Sequence, residues 1–421
     1  MPLRIIIVGA GIAGLTTALA LAPHGHEILI LEKSAFAAEL GAAFHFGPYG
    51  VRVLERLKVD IEAMRPVICR RWNQTDSATL RDLGVKFDLK AKQRELGISE
   101  DEIMVHRVDA HNVLKAQALS HKNVELRLGS GVKTVDADKG VVTLLNEETI
   151  QGDVVIGADG IHSRCLSAID PEACQTKPMG INMYRWTVEA SEARKSPLVS
   201  EFLDKAGFPD QHTTFVHVPT RHSLVTYTCR QGELINCATF QLASADAKQL
   251  PEGDYRSPGS VEEVLHIMDG WPESYRELAK LATDVKHWAV ISRDVPRSYC
   301  KGRLVVIGDA AHPTQPTHAA GANLGVEDAG VLSIVLGPSL DASKVSSRLQ
   351  LFHSLRYERT VIAKFSSEMF QVGWLASPQA AEALMQSKIA GAKIPGNIEE
   401  FLWPVDAMRE AEIALTELSD A

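Results

Sequence analysis

The sequence predicts an α/β fold, a doubly wound sheet interleaved with a second β-sheet and followed by C-terminal helices. Three observations predict it. A short β-branched run, Leu3–Val8, passes through Gly9-Ala10-Gly11-Ile12-Ala13-Gly14 into an Ala- and Leu-rich stretch and on to a second apolar run, Glu27–Leu31. That is a βαβ unit. From about residue 171 to 290, strand-like runs follow one another with little helix between them, and at Leu304–Ile307 the alternation of helix and strand resumes.

Taken in order, Leu3–Val8 reads as a strand and Leu15–Leu21 as a helix by its composition. A glycine-spaced stretch from Gly41 to Gly50 precedes a helix over Pro48–Leu57, with proline in its first turn. Asp109 is placed to cap a helix over Ala110–Leu119, and Val124–Leu128, Val132–Val135 and Val141–Leu145 read as strands joined by glycine turns. Gly180–Val188, Thr213–Val218, Ser223–Thr228 and Leu234–Leu242 make the separate sheet. Leu304–Ile307 is a buried strand ending at Gly308-Asp309, with a helix expected from Ala320 to Leu336. Beyond Ser343, the spacing of Val345, Leu349, Phe352, Leu355, Val361, Phe365 and Met369 is the stripe of an amphipathic helix. The expected division is a discontinuous nucleotide-binding domain (1–70, 100–170, 285–342), a substrate-binding domain (71–99, 171–284) and a C-terminal helical region (343–421).

Composition excludes several classes. With 421 residues, 45% hydrophobic and 23% charged, the chain matches an ordinary globular protein and not a disordered, collagenous or coiled-coil one. Lys and Arg number 44 against 53 Asp and Glu, with no basic cluster, so nucleic acid is not an expected partner. No apolar run is long enough for a membrane span, and the glycines at 9, 11 and 14 argue against reading Ile5–Ala22 as a signal segment. The six cysteines contain no C-x-x-C pair, which suits reduced thiols in a cytoplasmic protein and no metal site.

The chemistry lies in three motifs. Gly9-x-Gly11-x-x-Gly14 sits between a predicted strand and helix, with Glu32 ending the second strand. Gly9 permits the tight turn, Gly11 lets backbone approach a pyrophosphate, Gly14 lets helix pack on strand, and the acid accepts from ribose hydroxyls. This is a Rossmann-like dinucleotide fingerprint. The runs Val154–Gly157 into Asp159-Gly160, and Leu304–Ile307 into Gly308-Asp309, put two further acids at carboxyl ends of strands, where nucleotides bind in such sheets.

With these motifs in this order, the sequence resembles the single-component FAD-dependent aromatic hydroxylases typified by salicylate and p-hydroxybenzoate hydroxylases, over residues 1 to about 335. The resemblance implies FAD, with NADPH or NADH as a transient reductant that visits a surface groove. It also implies hydroxylation of a small phenolic or electron-rich aromatic substrate by O2 through a flavin C4a-hydroperoxide, in a monomer or homodimer. Carried over by residue, Glu32 matches the acid on the adenosine ribose, and Ala43 (in Gly41-Ala42-Ala43) and Arg107 match cofactor contacts. Asp159 matches a residue near the pyrophosphate, Asp309 the acid on the ribityl chain, and Ala322 with Asn323 the helix start whose amides face the flavin pyrimidine. One departure stands out. Relatives often read Pro-x-x-Gly-Gln-Gly where this chain has Pro316-Thr317-His318-Ala319-Ala320-Gly321, which bears on flavin mobility.

For catalysis, Arg185 in Tyr184-Arg185-Trp186 is the candidate anchor for a substrate carboxylate or phenolate. Tyr227, His217 and His222 are candidates to bond the substrate hydroxyl or relay its proton. His312 reads as structural, and His45 is a candidate for covalent flavin attachment. Trp271 and Trp288 raise a flavin halogenase, but the W-x-W-x-I-P pattern is absent. Two alternatives stay open: an epoxidase of an indole or alkene, and a flavoprotein reductase or cyclase that transfers no oxygen.

Overall fold

The structure is a computed structural model that describes residues 2–35, 43–218, 222–243, 257–372 and 378–420. The opening unit forms as predicted, with strands Arg4–Val8 and Glu27–Leu31 around the helix Ile12–Leu21. These strands belong to a six-stranded sheet in the order Cys300–Lys301, Leu304–Val306, Val154–Gly157, Arg4–Val8, Glu27–Leu31, Val124–Arg127. Every neighbouring pair is parallel except Cys300–Lys301 with Leu304–Val306. Ile5, Ile6, Ile7, Val154, Val155 and Ile156 are fully buried, so the central strands are covered on both faces. That is why they read as continuous apolar runs and not as alternating ones.

The second sheet has seven strands in the order Thr283–Arg293, Thr176–Glu189, Leu234–Leu242, His222–Cys229, Gln211–His217, Arg71–Asp76, Asp82–Asp88. Its outer face buries Trp186, Phe215, Leu224, Ile235 and Cys237 against Phe202, Tyr275 and Leu278 of the helices Pro197–Lys205 and Glu273–Lys280. Each such large side chain contributes roughly 1.5–3 kcal/mol when fully buried. The intervening residues point to the inner face, where Met183, Ala238 and Trp288 cluster and Tyr227 packs with Tyr49, Met104 and Leu324. The sheet therefore has one face on its own helices and one on the rest of the molecule.

A small three-stranded sheet, Ala43–Phe46, Ile103–His106 and Val67–Ile68, lies at that junction. Two expectations need correction. Thr283–Arg293 is one strand of the seven-stranded sheet, so this sheet runs past 284 to Arg293. The helix expected from Ala110 begins at Arg107, and Asp109 lies within its first turn instead of capping it. Its carboxylate takes a bidentate bond from Arg230, at 2.8 and 2.9 Å, a long-range partner that sequence spacing does not reveal.

The expected amphipathic helix is the long Val345–Val372. It docks through a buried charge network on the helix Ala320–Val335. Arg356 bonds Asp328 (2.8 Å) and Glu327 (2.9 Å), and Arg359 bonds both oxygens of Glu327. Asp328 also accepts from the Gly308 amide at 2.9 Å and from His312 at 2.7 Å. Burial pushes its carboxyl up, but His312 and Arg356 outweigh that and hold it down at about 2. His312 is thus a structural residue beneath the Gly-Asp turn.

Candidate cofactor and substrate site

The fingerprint glycines have three separable reasons. Gly9 sits at φ +106°, and a Cβ there would fall 2.4 Å from the Ala158 carbonyl oxygen. A Cβ on Gly14 would fall 2.1 Å from the Gly9 oxygen, whereas one on Gly11 would meet nothing within 4 Å. The first two are fixed by backbone against backbone; the third faces open space at the N-terminus of Ile12–Leu21, which no side chain caps. That open, uncapped helix start fits a pyrophosphate. Glu32 orders the same turn, accepting from the Ala10 amide at 2.9 Å and from the Ser34 amide at 2.8 Å. His111, which sequence reasoning passed over, bonds the Ala10 carbonyl at 2.8 Å from the helix Arg107–Leu119.

The other two motifs converge on this turn. Ala13 lies against Gly308 and Gly325, so the helices Ile12–Leu21 and Ala320–Val335 cross where the Gly-Asp turn begins. Asp309 reaches to within 3.6 Å of where a Cβ on Gly321 would stand. Asp309 is exposed to solvent, yet the chain around it is dense enough to desolvate its carboxyl. Burial raises its pKa, with His312, Arg107 and Arg293 opposing. The second helix, like the first, has no side-chain cap, and its Ala319 holds a left-handed φ of +51°. At that position an L side chain is strained and a glycine is not. Asp159 spends its carboxylate on its own turn, accepting from Ser163 Oγ, the Arg164 amide and the Cys165 amide.

Arg293 joins the two acidic turns, and sequence reasoning missed it too. Its guanidinium donates to the carbonyls of Ile161 (3.3 Å), Asp309 (3.2 Å) and Ala310 (2.7 Å). Only strand pairing brings it there, since it ends a strand of the other sheet.

Ala43 marks where the two sheets meet; Gly41 and Ala42 lie outside the described residues. The Tyr227 hydroxyl donates to the Ala43 carbonyl at 2.6 Å, and Asn236 accepts from the Ala43 amide at 3.3 Å. On the far side, Asn323 accepts from the Gly47 amide at 2.9 Å and donates to the His45 carbonyl at 3.0 Å. A Cβ on Gly50 would fall 2.0 Å from Asn323 Oδ1, which explains a glycine there. So Asn323 is present at the helix start, with its side chain committed to the strand Ala43–Phe46 and the Gly47 that follows it. The loop before it is fastened to the long helix: the Gln315 amide donates to Ser367 Oγ, and Thr317 Oγ1 donates to the Ser367 carbonyl.

The inner face brings some catalytic candidates together and leaves others out. Arg185 lies there with its guanidinium carbon 5.4 Å from the centre of the Trp288 ring, and it acts electrostatically on Tyr227. Tyr227 is buried, and its hydroxyl proton is already given to Ala43. His217 is on the opposite face, stacked on Trp271 at 5.3 Å, and His222 is coupled to it there. Neither meets Arg185. The histidine that does join Tyr227 is His212, stacked on it at 5.3 Å and on Trp72 at 4.5 Å, both at 11°. Behind it, His45 Nε2 is 3.1 Å from His212 Nδ1, and His45 Nδ1 is 2.7 Å from Glu102, which also accepts from Trp72. With both ring nitrogens engaged and the ring buried, His45 has no atom left for covalent flavin attachment. Cys69 brings a third potential metal ligand within 4.8 Å of His45 and Glu102. The 2.7 Å histidine–carboxylate contact is a hydrogen bond, shorter than the roughly 3.3 Å that two donors keep around a tetrahedral ion.

Comparison with known proteins agrees with this architecture. Residues 3–363 match the FAD binding domain family. Hispidin-3-hydroxylase of Neonothopanus nambi is 30% identical over 373 residues, covering 85% of this chain and 86% of the relative. The 3-amino-4-hydroxybenzoate 2-monooxygenase of Streptomyces cremeus is 31% identical over 367 residues, covering 85% and 84%. Among solved structures, a salicylate hydroxylase substrate complex superposes with a TM-score of 0.76 at 23% identity, covering 98% of each chain. Klebsiella pneumoniae HpxO with FAD and uric acid gives 0.73 at 20% identity, covering 96% of each. At such identities the structural likeness bears on the fold alone.

Proposed function

The chain belongs to the FAD binding domain family and is an FAD-dependent monooxygenase, and on that premise we infer that it hydroxylates a phenolic or electron-rich aromatic ring. The electron donor in this reading is NADPH or NADH and the oxygen source is O2. The observation that carries it is the inner face of the seven-stranded sheet. There the stacked Trp72, His212 and Tyr227 rings present an aromatic edge, and Arg185 supplies a guanidinium on the same face. A planar ring bearing a hydroxyl or carboxylate suits that pairing of surfaces. The named substrates of two relatives, a hydroxybenzoate and salicylate, have this chemistry.

In this reading Gly9, Gly11, Gly14 and Glu32 hold the adenosine and pyrophosphate end of FAD. Ala43, Arg107, Asp159, Asp309, Ala322 and Asn323 line its path toward the ring-binding face. Bound FAD supplies the activation of O2 and the transfer of one oxygen atom to the ring. Arg185 holds the substrate's anionic group and favours the phenolate, the more nucleophilic form. Tyr227, by fastening Ala43, fixes the distance between substrate sheet and cofactor strand. The nucleotide-binding segments 1–70, 100–170 and 285–342 and the substrate segments 71–99 and 171–284 remain our working division, with the sheet edge moved to Arg293.

The test uses purified protein loaded with FAD and a panel of salicylates, hydroxynicotinates, resorcinols and indoles. The expected result is NAD(P)H oxidation coupled to a hydroxylated phenol carrying an atom of labelled O2. Coupled product from the indoles alone would replace the phenol reading with epoxidation.

A further inference from the structure

We propose that Arg230 is the positioning residue through which the substrate sheet sets Arg107 against the cofactor. The proposal rests on the reading of Arg107 as an FAD contact, and it holds whatever ring the enzyme hydroxylates. Arg107 is the first residue of the helix Arg107–Leu119, whose start no side chain caps. Its charge acts on the Asp309 carboxyl, which places it near the Gly-Asp turn. Arg230 grips the chain on both sides of it. The Arg230 guanidinium donates to both oxygens of Asp109, at 2.8 and 2.9 Å, and to His106 Nδ1 at 3.3 Å. His106 comes just before Arg107 and Asp109 two residues after it, so one planar fork fixes the junction of strand and helix from which Arg107 projects.

The same hairpin holds the neighbouring segment. Arg230 follows the strand His222–Cys229, which carries Tyr227, and precedes Leu234–Leu242, which carries Asn236. Tyr227 and Asn236 fasten the carbonyl and the amide of Ala43, and Ala43 is the cross-strand partner of His106. On its other side the helix Arg107–Leu119 is tied to the glycine turn by His111 on the Ala10 carbonyl. It is thus held between the fingerprint and the substrate sheet. The hairpin tip carries strain to make this contact: Arg230 and Gln231 both hold a left-handed φ, +52° and +57°, and neither is glycine. Such backbone persists where its surroundings over-determine it. Here the Gln231 amide donates to the Arg65 carbonyl at 3.1 Å, Arg65 pairs with Glu233, and the Ala190 amide donates to the Glu233 carbonyl at 2.8 Å. The Arg230–Asp109 pair is the shielded one of the tip, its side chains 30% and 17% exposed against 39% and 63% for Arg65 and Glu233, so solvent weakens it less.

The experiment uses the full chain stripped of FAD and titrated with FAD, with the visible circular dichroism of the bound flavin recorded at saturation. Arg107→Ala and Arg230→Gln are each expected to raise the Kd for FAD at least about tenfold and to change the flavin spectrum in the same sense. Glu233→Gln, which breaks only the exposed pair of the same turn, should leave both within about twofold of wild type. In the Arg107→Ala background, Arg230→Gln should cost no more than about twofold further, because the residue it positions has gone. A full additional loss in that background overturns the positioning role while leaving the Arg107 contact standing, as does wild-type affinity and spectrum in Arg230→Gln alone. An equal loss in Glu233→Gln overturns it too, by making the turn and not the fork the cause. Wild-type affinity in Arg107→Ala faults the contact itself and the positioning role with it. Should Arg230→Gln fail to fold, Asp109→Asn breaks the same pair from the helix side and is read in the same way.

Discussion

The two walls of the cleft are made of different material. Around Gly9–Glu32 and Gly308–Ala322 the contacts that matter are backbone: amides bonded to Glu32 and Asp328, glycines whose missing Cβ atoms let carbonyls approach, and two helix starts without side-chain caps. On the inner face of the seven-stranded sheet the contacts are side chains, each placed by strand register: Arg185 over Trp288, Tyr227 on Ala43, His212 between Trp72 and Tyr227. A shared cofactor can be held by a shared backbone. A substrate that differs among relatives is met by side chains that can change without refolding the chain. Damage to the first wall should therefore appear as lost stability or lost FAD, and damage to the second as lost coupling.

The largest effect is expected at the buried network under the Gly-Asp turn. Asp328→Ala removes a partner of Arg356, His312 and the Gly308 amide at once, leaving two buried guanidinium groups, Arg356 and Arg359, to share the single carboxylate of Glu327. Denaturant unfolding should register a loss of about 3–5 kcal/mol. In the wild type, the carboxyl is held at about 2, below its ordinary value. Its contribution is therefore present above about pH 4 and is lost as pH falls toward 2. The variant should lack that acid dependence.

Next comes the cradle itself. Glu32→Ala and Asp309→Ala each remove a carboxylate acceptor, with an expected loss of about 1–3 kcal/mol of FAD affinity per charge-assisted bond. Flavin content after gel filtration measures it. Wild-type content in both would mean that the acids serve only their local turns, as Glu32 already does for Ala10 and Ser34.

The same contrast decides what could be read in advance. Glycine spacing and an acid eighteen positions on are local patterns, so the strand, turn and helix at the start of the chain were legible, with the helix beginning three residues earlier than its composition suggested. The second sheet was legible too, from its run of strands. Which face each residue takes was not. His212 and His217 sit on one strand five residues apart, on opposite faces, and alternation alone does not say which face meets the cofactor. That depends on pairing with strands as distant as Arg71–Asp76. Arg293, His111 and Asp109 escaped for a related reason, since their partners lie more than a hundred residues away or in another sheet. The one sequence signal toward the buried contacts of His45 with Glu102 and His212 was a polar residue inside an otherwise apolar strand, which invited a flavin-linkage reading instead.

Arg185→Lys tests the side-chain wall directly. Lysine keeps the charge but loses the planar fork and its fit over Trp288. FAD content and melting temperature should be unchanged. Coupled kcat/KM should fall about tenfold, equivalent to about 1.4 kcal/mol of transition-state stabilisation, and the share of NAD(P)H lost as H2O2 should rise. Unchanged coupling would remove Arg185 from the substrate's surroundings and shift attention to His212.

The smallest effect should come from His217, one of the three sheet residues that the sequence offered as partners for the substrate hydroxyl. It stacks on Trp271 across the outer face, beside Gly270, and shares that layer with Phe215 and Tyr275. Replacing it with phenylalanine keeps a flat ring of similar size against Trp271, so the packing loss should stay below about 1.5 kcal/mol. The whole thickness of the sheet separates it from Arg185 and Tyr227. Coupled kcat/KM and its pH profile should therefore remain within about twofold of wild type, where the substitution at Arg185 costs about ten. A His217→Phe variant that lost coupling while retaining FAD and stability would mean that the reacting ring lies on the outer face, and the assignment of the two walls would have to be reversed.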